Sequence, residues 1–152
     1  MSYNLLKKCI EQEAKYQFDS FTQTDAFALG QALYEESLKY EKALAIEIRM
    51  NHLTVFRLFP DGTNLNNETW LQAKANSVDM LGISTLHLFA DIEATGVTLK
   101  DRRMDDSIYA GVGGGFPLII KNVGLIGSIC VSGLDHYSDH QVIIDTLENL
   151  KL

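Results

Sequence analysis

The sequence predicts an α+β fold: a three-layer α/β/α sandwich in which five mostly antiparallel strands carry helices on both faces. Two observations lead to it. Leu44, Ile46, Ile48 and Met50 alternate with Ala43, Ala45, Glu47 and Arg49, and Leu53, Val55, Arg57 and Phe59 continue the period beyond Asn51-His52, which is the pattern of two strands joined by a two-residue turn. A second pair of apolar runs, 116–121 and 125–132, flanks another short polar turn, and segments with helical spacing surround both pairs.

The elements follow in order. Leu5, Leu6, Cys9 and Ile10 predict an amphipathic helix over 3–14, and Tyr16 and Phe18, alternating with Gln17 and Asp19, predict a short strand. Thr22 and Asp25 have the spacing of a capping box, ahead of a helix whose stripe is Phe27, Gly30, Leu33 and Leu38. Pro60-Asp61-Gly62 closes the first hairpin as a turn. Asn66 is placed to cap the next helix, with Leu65 and Trp70 as its hydrophobic staple, Leu71, Ala75 and Val78 as its buried stripe and Gly82 as its end. Ser84 caps a further helix carrying Leu88, Phe89 and Ile92, which stops at Gly96. Residues 97–112 show no period, and a connection of that length in a compact chain is functional or mobile. After the second hairpin, Ser138 and Gln141 repeat the capping-box spacing before a closing helix lined by Val142, Ile143, Leu147 and Leu150.

A chain of 152 residues is read as one domain, 1–152, with 1–20 as an N-terminal helix and short strand and 21–152 as the core. The net charge of −7 argues against nucleic acid as a partner, because neutralising phosphates needs a basic face. No run approaches the length of a membrane span, and the first residues mix charge with apolar positions as neither a signal peptide nor an anchor does. A cytoplasmic location is expected. Cys9 and Cys130 form no CxxC and lie in apolar surroundings, so each is expected to be a small buried thiol.

Chemistry could sit in two places. Gly113, Gly114 and Gly115 lead into Phe116-Pro117; no GK[ST] follows and the segment enters a strand, so it is not a phosphate loop. The glycines are either a sharp way into a strand or, beyond that, one wall of a pocket. The second place is SGLDHYSDH, 132–140. A helix capped by Ser138 would turn its free amides toward Ser132 and Gly133 and attract a carboxylate or phosphate, with Asp139 in its first turn and His136 before the cap. His136 and His140 lack a third ligand and no metal is expected; His140 is a candidate for ligand contact or proton transfer. Lys74, one turn after Trp70, is either a stem packed over the indole or an anion contact. The run KDRRMDD, 100–106, is most simply a solvated loop, with an intersubunit or substrate clamp as the alternative.

The GGGFP segment, the apolar strand, GLIGSICVSGL and Asp139-His140 at a helix start resemble the GlcG/HbpS-like superfamily, also called the haem-degrading domain family, over 25–150. Trp70, Lys74, Gly82 and Ser84-Thr85 are similar to a small single-domain branch of it, which often carries a histidine before the Ser pair where this chain has Ile83. The resemblance implies a profilin-like fold with a five-stranded antiparallel sheet, and homo-oligomers. The function then expected is an oligomeric small-ligand-binding protein. Its pocket is drawn from Lys74, Gly113, Gly114, Gly115, Phe116, Ser132, Gly133, Asp139 and His140. The ligand would be a small anion or a haem-like molecule, with His140 or His136 as the axial donor if haem is the cofactor. One alternative is an enzyme on a small carboxylated metabolite, with His140 or Asp139 as base. Another is an adaptor that uses the first helix to bind a neighbour.

Overall fold

The computed structural model describes residues 2–150. In chain order these form α1 (Ser2–Lys15), α2 (Gln23–Ser37), β1 (Ala45–Met50), β2 (Leu53–Leu58), α3 (Leu65–Leu81), α4 (Thr85–Thr95), β3 (Gly115–Ile120), β4 (Gly124–Ser132) and α5 (His136–Asn149). The strands make one antiparallel sheet in the order β2-β1-β4-β3. Asn51 and His52 both take positive φ, 52° and 70°, as the two-residue turn requires. Among the described residues no helix is long and apolar enough to cross a membrane.

The fold has four strands, not the five expected. The segment at Tyr16–Phe18 supplies only one residue, Phe18, in an isolated parallel bridge to Ile120, with Phe18 N–H donating to Ile119 O and Lys121 N–H donating to Phe18 O at 2.9 Å each. Pairing stops there because the Thr22/Asp25 capping box turns the chain into α2 within a few residues.

Side chains alternate across the sheet and divide it between two layers. Ile46, Ile48, Phe116, Leu118, Ile129 and Val131 face α2 and α5, which contribute Ala26, Leu29, Leu33, Val142, Ile143 and Leu147. Ala45 and Cys130 face Leu71 and Ala75 of α3 on the other side. In α2 the buried residues are Ala26, Leu29, Gly30, Leu33, Glu36 and Ser37, whereas Phe27 and Leu38, expected in the stripe, are 56% and 64% exposed. In α3 the cap is Asn64, not Asn66: its side chain accepts the Asn66 N–H, and Asn67 completes the box. Leu65 is 74% exposed, so no staple forms with Trp70. Ser84, Gly82 and Gly96 cap as expected, both glycines in the left-handed region.

Candidate functional site

Lys74 comes from the buried side of α3, and its ammonium donates to Val131 O at 2.8 Å and to Asp139 Oδ2 at 3.0 Å. Both side chains are almost wholly buried, at 3% and 4% exposed. Burial raises the Asp139 pKa, and Lys74 opposes it. The other Asp139 oxygen accepts the Leu134 N–H at 2.9 Å. Asp139 therefore joins the end of β4 to α3. Trp70 is 43% exposed, whereas Lys74, one turn later on α3, is buried.

The helix start differs from the expected one. Asp135 is the cap, accepting the Ser138 N–H at 3.0 Å and the Ser138 hydroxyl at 2.7 Å, so α5 begins at His136. No open row of amides faces Ser132 and Gly133. Ser132 is buried, and its carbonyl accepts from Asn67 Nδ2 at 3.1 Å.

The glycine run crosses directly over these groups. A Cβ on Gly113 would collide with His136 O; one on Gly114, at φ +123°, would lie 2.5 Å from Lys74 Nζ and 2.7 Å from Val131 O. Gly115 N–H donates to Thr85 Oγ1 at 2.8 Å. Of the nine residues drawn into the pocket, Lys74, Gly114, Asp139 and the β4 end meet in one interior cluster, and all but Gly133 are buried. Phe116 packs in the α2/α5 core. What the sequence places together is filled by its own side chains.

The two histidines are held differently. Gly113 N–H donates to His136 Nδ1 at 3.0 Å, so the neutral ring carries its proton on Nε2. Burial lowers the His136 pKa, assisted by Lys74 and opposed by Asp135. His140 is 2% exposed; its Nε2 donates to Gln12 Oε1 at 2.7 Å and its Nδ1 has no partner. Burial, then Lys8 and His136, bring its pKa from the ordinary 6.5 down to about 4. Above pH 6.5 the ring is neutral in folded and unfolded chains alike. As pH falls, the unfolded chain takes the proton first, so stability declines until the folded ring also titrates near pH 4. The loss expected across this window is about 3 kcal/mol. Urea midpoints at pH 7 and pH 4.5 check it: His140→Gln should lose distinctly less than the parent, and equal losses would contradict the assignment.

The open space lies next to the glycines. A cleft of about 910 Å³ is walled by Ile92 of α4, by Leu99, Lys100, Arg103 and Met104, and by Gly111-Val112 leading into the glycine run. Asp105 and Asp106 stand on its rim, Asp105 tied to Ser107 N–H at 2.8 Å. Arg102 pairs with Asp91 at 2.9 Å, whereas Lys100 and Arg103 enter no ion pair among the described residues. The aperiodic 97–112 segment is thus a structured wall, with Met104 N–H donating to Leu99 O at 2.9 Å and Ile108 N–H to Asp105 O at 3.0 Å. The described residues contain no cluster of three or more metal-ligating His, Cys, Asp or Glu side chains.

Comparisons with known proteins place this geometry. A family model described as haem-degrading protein HbpS-like matches residues 21–148. A UPF0303 protein of Streptomyces coelicolor is 33% identical over 139 residues, covering 91% of this chain and 88% of that one. A UPF0303 protein of Yersinia pestis is 35% identical over 144 residues, covering 93% and 84%. Among solved structures, the Ybr137w protein matches with a TM-score of 0.86 at 23% identity, covering 95% of this chain and 86% of that one. A complex of PduOC with haem matches at 0.71 and 17% identity, covering 85% and 94%. At these identities the structural likenesses show the fold.

Proposed function

This chain belongs to the HbpS-like family, and on that premise we propose that it is a homo-oligomeric binding protein for a carboxylate-bearing molecule of the size class of haem. The ligand lies in the cleft beside the glycine run. One observation carries the reading: a cleft of about 910 Å³ joins an apolar wall, Ile92, Leu99, Met104 and Val112, to Lys100 and Arg103, which enter no ion pair among the described residues although Asp105 and Asp106 also line the cleft. That is the size and chemistry of a small-molecule site, an apolar body with a few charged groups that fix orientation. The interior cluster of Lys74, Gly114 and Asp139 lies at the other end of the glycine run from the cleft wall at Gly111-Val112.

Haem bound through a histidine does not fit this donor set. His136 Nδ1 is taken up by the Gly113 N–H, which leaves the proton on Nε2, and His140 is buried against Gln12. Iron ligation through either ring requires the structure to open. The proposed contact is therefore with carboxylates and an apolar face. His140 as a general base is also disfavoured, since the ring is enclosed and burial, which brings its pKa down to about 4, makes it a weak base. Leu5, Leu6 and Cys9, the face expected to meet a neighbour, pack within the chain, and of that set Ile10 alone is exposed, at 50%. Self-association is supported instead by Phe27, Tyr34 and Leu38 along α2 and by Leu53 on β2, an apolar stripe left in solvent. Two buried, unpaired thiols agree with a reducing, cytoplasmic compartment.

Titration with haemin and with metal-free protoporphyrin IX tests the reading. Both are expected to bind with similar affinity, and Lys100→Glu and Arg103→Glu are each expected to weaken both by about tenfold, one charge-assisted contact apiece. Affinity unchanged by either reversal, or binding of haemin alone, would overturn it.

A further inference from the structure

The α3 side of the sheet carries charge as well as apolar cover. Glu47 and Arg49, two apart on β1, lie on that face with Ala45, and both are buried. Glu47 stands in register with Arg57 of β2. Its Oε2 accepts from Arg49 Nε at 3.1 Å, from Thr54 Oγ1 at 2.7 Å and from Arg57 Nη2 at 3.1 Å. Burial opposes the charge, yet the bonds from Thr54 and Arg49 and the two guanidinium charges hold the Glu47 pKa below its ordinary value. Arg49 extends the chain of bonds: Nη2 donates to Gln72 Oε1 at 2.7 Å, Gln72 Nε2 to Asn76 Oδ1 at 3.1 Å, and Asn76 Nδ2 to Ile108 O at 2.9 Å. A buried ion pair is a weak source of net stability. What this one does is fix Arg57 and the two carboxamides of α3 in place.

Two cavities lie where this network reaches the surface. One, of about 470 Å³, is polar and includes Arg57, Glu68, Gln72, Asn76 and Ser107 in its wall. The other, of about 450 Å³, is lined by Phe59, Pro60 and Leu65, with Asp61 and again Glu68. Glu68 therefore borders both, and the Arg57 guanidinium, paired with it, sits 5.6 Å from the centre of the Phe59 ring. Of the five N–H groups of Arg57, only two have partners among the described residues, Glu47 and Glu68, and Glu68 Oε1 has none. The two side chains are 35% and 38% exposed, so a ligand reaches these free atoms without the chain opening.

We propose that this wall is a second binding site, for a free α-amino acid with an apolar side chain. The carboxylate meets Arg57, the ammonium meets Glu68, and the side chain enters the chamber of Phe59, Pro60 and Leu65. The class follows from the charges. A guanidinium and a carboxylate side by side match a molecule that carries both opposite charges on one carbon. An anion alone would face Glu68 and Asp61, and a cation alone would face Arg57. The site shares no lining residue with the cleft beside the glycine run and stands or falls separately from it.

Titration of the ¹⁵N-labelled full chain with L-leucine, read by amide chemical shifts, tests this. Saturable shifts are expected across 57–69, 72–76 and 107–108. N-acetyl-L-leucine and L-leucinamide, each lacking one charge, and glycine, lacking the apolar side chain, should each bind about tenfold more weakly or worse. Glu68→Gln, a change at a partly exposed position, should keep the parent's spectrum elsewhere and weaken leucine by about tenfold. No saturable shift, or shifts centred on 97–104, would overturn the proposal. So would either blocked compound or glycine binding as tightly as leucine, or a Glu68→Gln chain that binds leucine like the parent.

Discussion

Lys74→Met is expected to destabilise the chain by about 3–5 kcal/mol, the cost of leaving a buried carboxylate without its counter-charge. The ammonium is the only cation within reach of Asp139 among the described residues, and it also satisfies Val131 O. Desolvation already raises the Asp139 pKa, so removing Lys74 raises it further. An acid whose folded pKa lies above its unfolded value loses stability as pH rises through that folded pKa. The variant should accordingly narrow its deficit on acidification. Lys74→Met combined with Asp139→Asn should recover much of the loss, because Asn keeps an acceptor for the Leu134 N–H while removing the charge. Urea unfolding of the three chains checks this. A Lys74→Met chain as stable as the parent would mean that the pair is not structural and would restore Lys74 as a ligand contact.

Gly114→Ala is the second large effect. The position needs φ of +123° and has Lys74 Nζ and a backbone carbonyl where the methyl group would go. Strain and overlap act together, and the expected loss is about 3 kcal/mol or more. Gly124→Ala is the control, with a similar φ of +126° and nothing within 4 Å, so it carries the backbone strain alone, about 1–3 kcal/mol and less than Gly114→Ala. Thermal unfolding of the two variants separates close approach from conformational preference. Equal losses would mean that the glycine run is kept for its backbone angles and not for its packing.

Much of the fold was legible because its signals are local. Asn51-His52 specifies its turn by tolerating positive φ, and Thr22/Asp25, Ser84, Gly82 and Gly96 fix helix ends by chemistry within one turn. The errors arose where two local readings compete. Asp135 with Ser138 and Ser138 with Gln141 both satisfy capping rules, and the choice is made by Asp139 and His140 needing to point inward. On α2, Phe27 and Leu38 are as apolar as Leu29 and Leu33, and only the position of β1 and α5 decides which set is covered. A fifth strand at Tyr16–Phe18 has the right alternation but too little chain before the next cap.

The site was less legible. Lys74 and Asp139 each stand out in the sequence, yet 65 residues separate them, and no spacing rule announces that they meet. The glycines were read both as strand entrance and as pocket wall, and their contacts with His136, Lys74 and Thr85 show the first role in detail. The cleft was visible only as a long stretch without period, containing KDRRMDD. Its apolar wall needs Ile92, which sequence analysis assigns to a helix face.

Hydrogen exchange resolved by peptide, with and without protoporphyrin IX, tests the central claim most directly. The account expects slowed exchange across 97–112, where Lys100, Arg103 and Met104 wall the cleft, and no change across 132–140. Protection centred on 132–140 with 97–112 unaffected would place the ligand in the interior cluster and contradict the account.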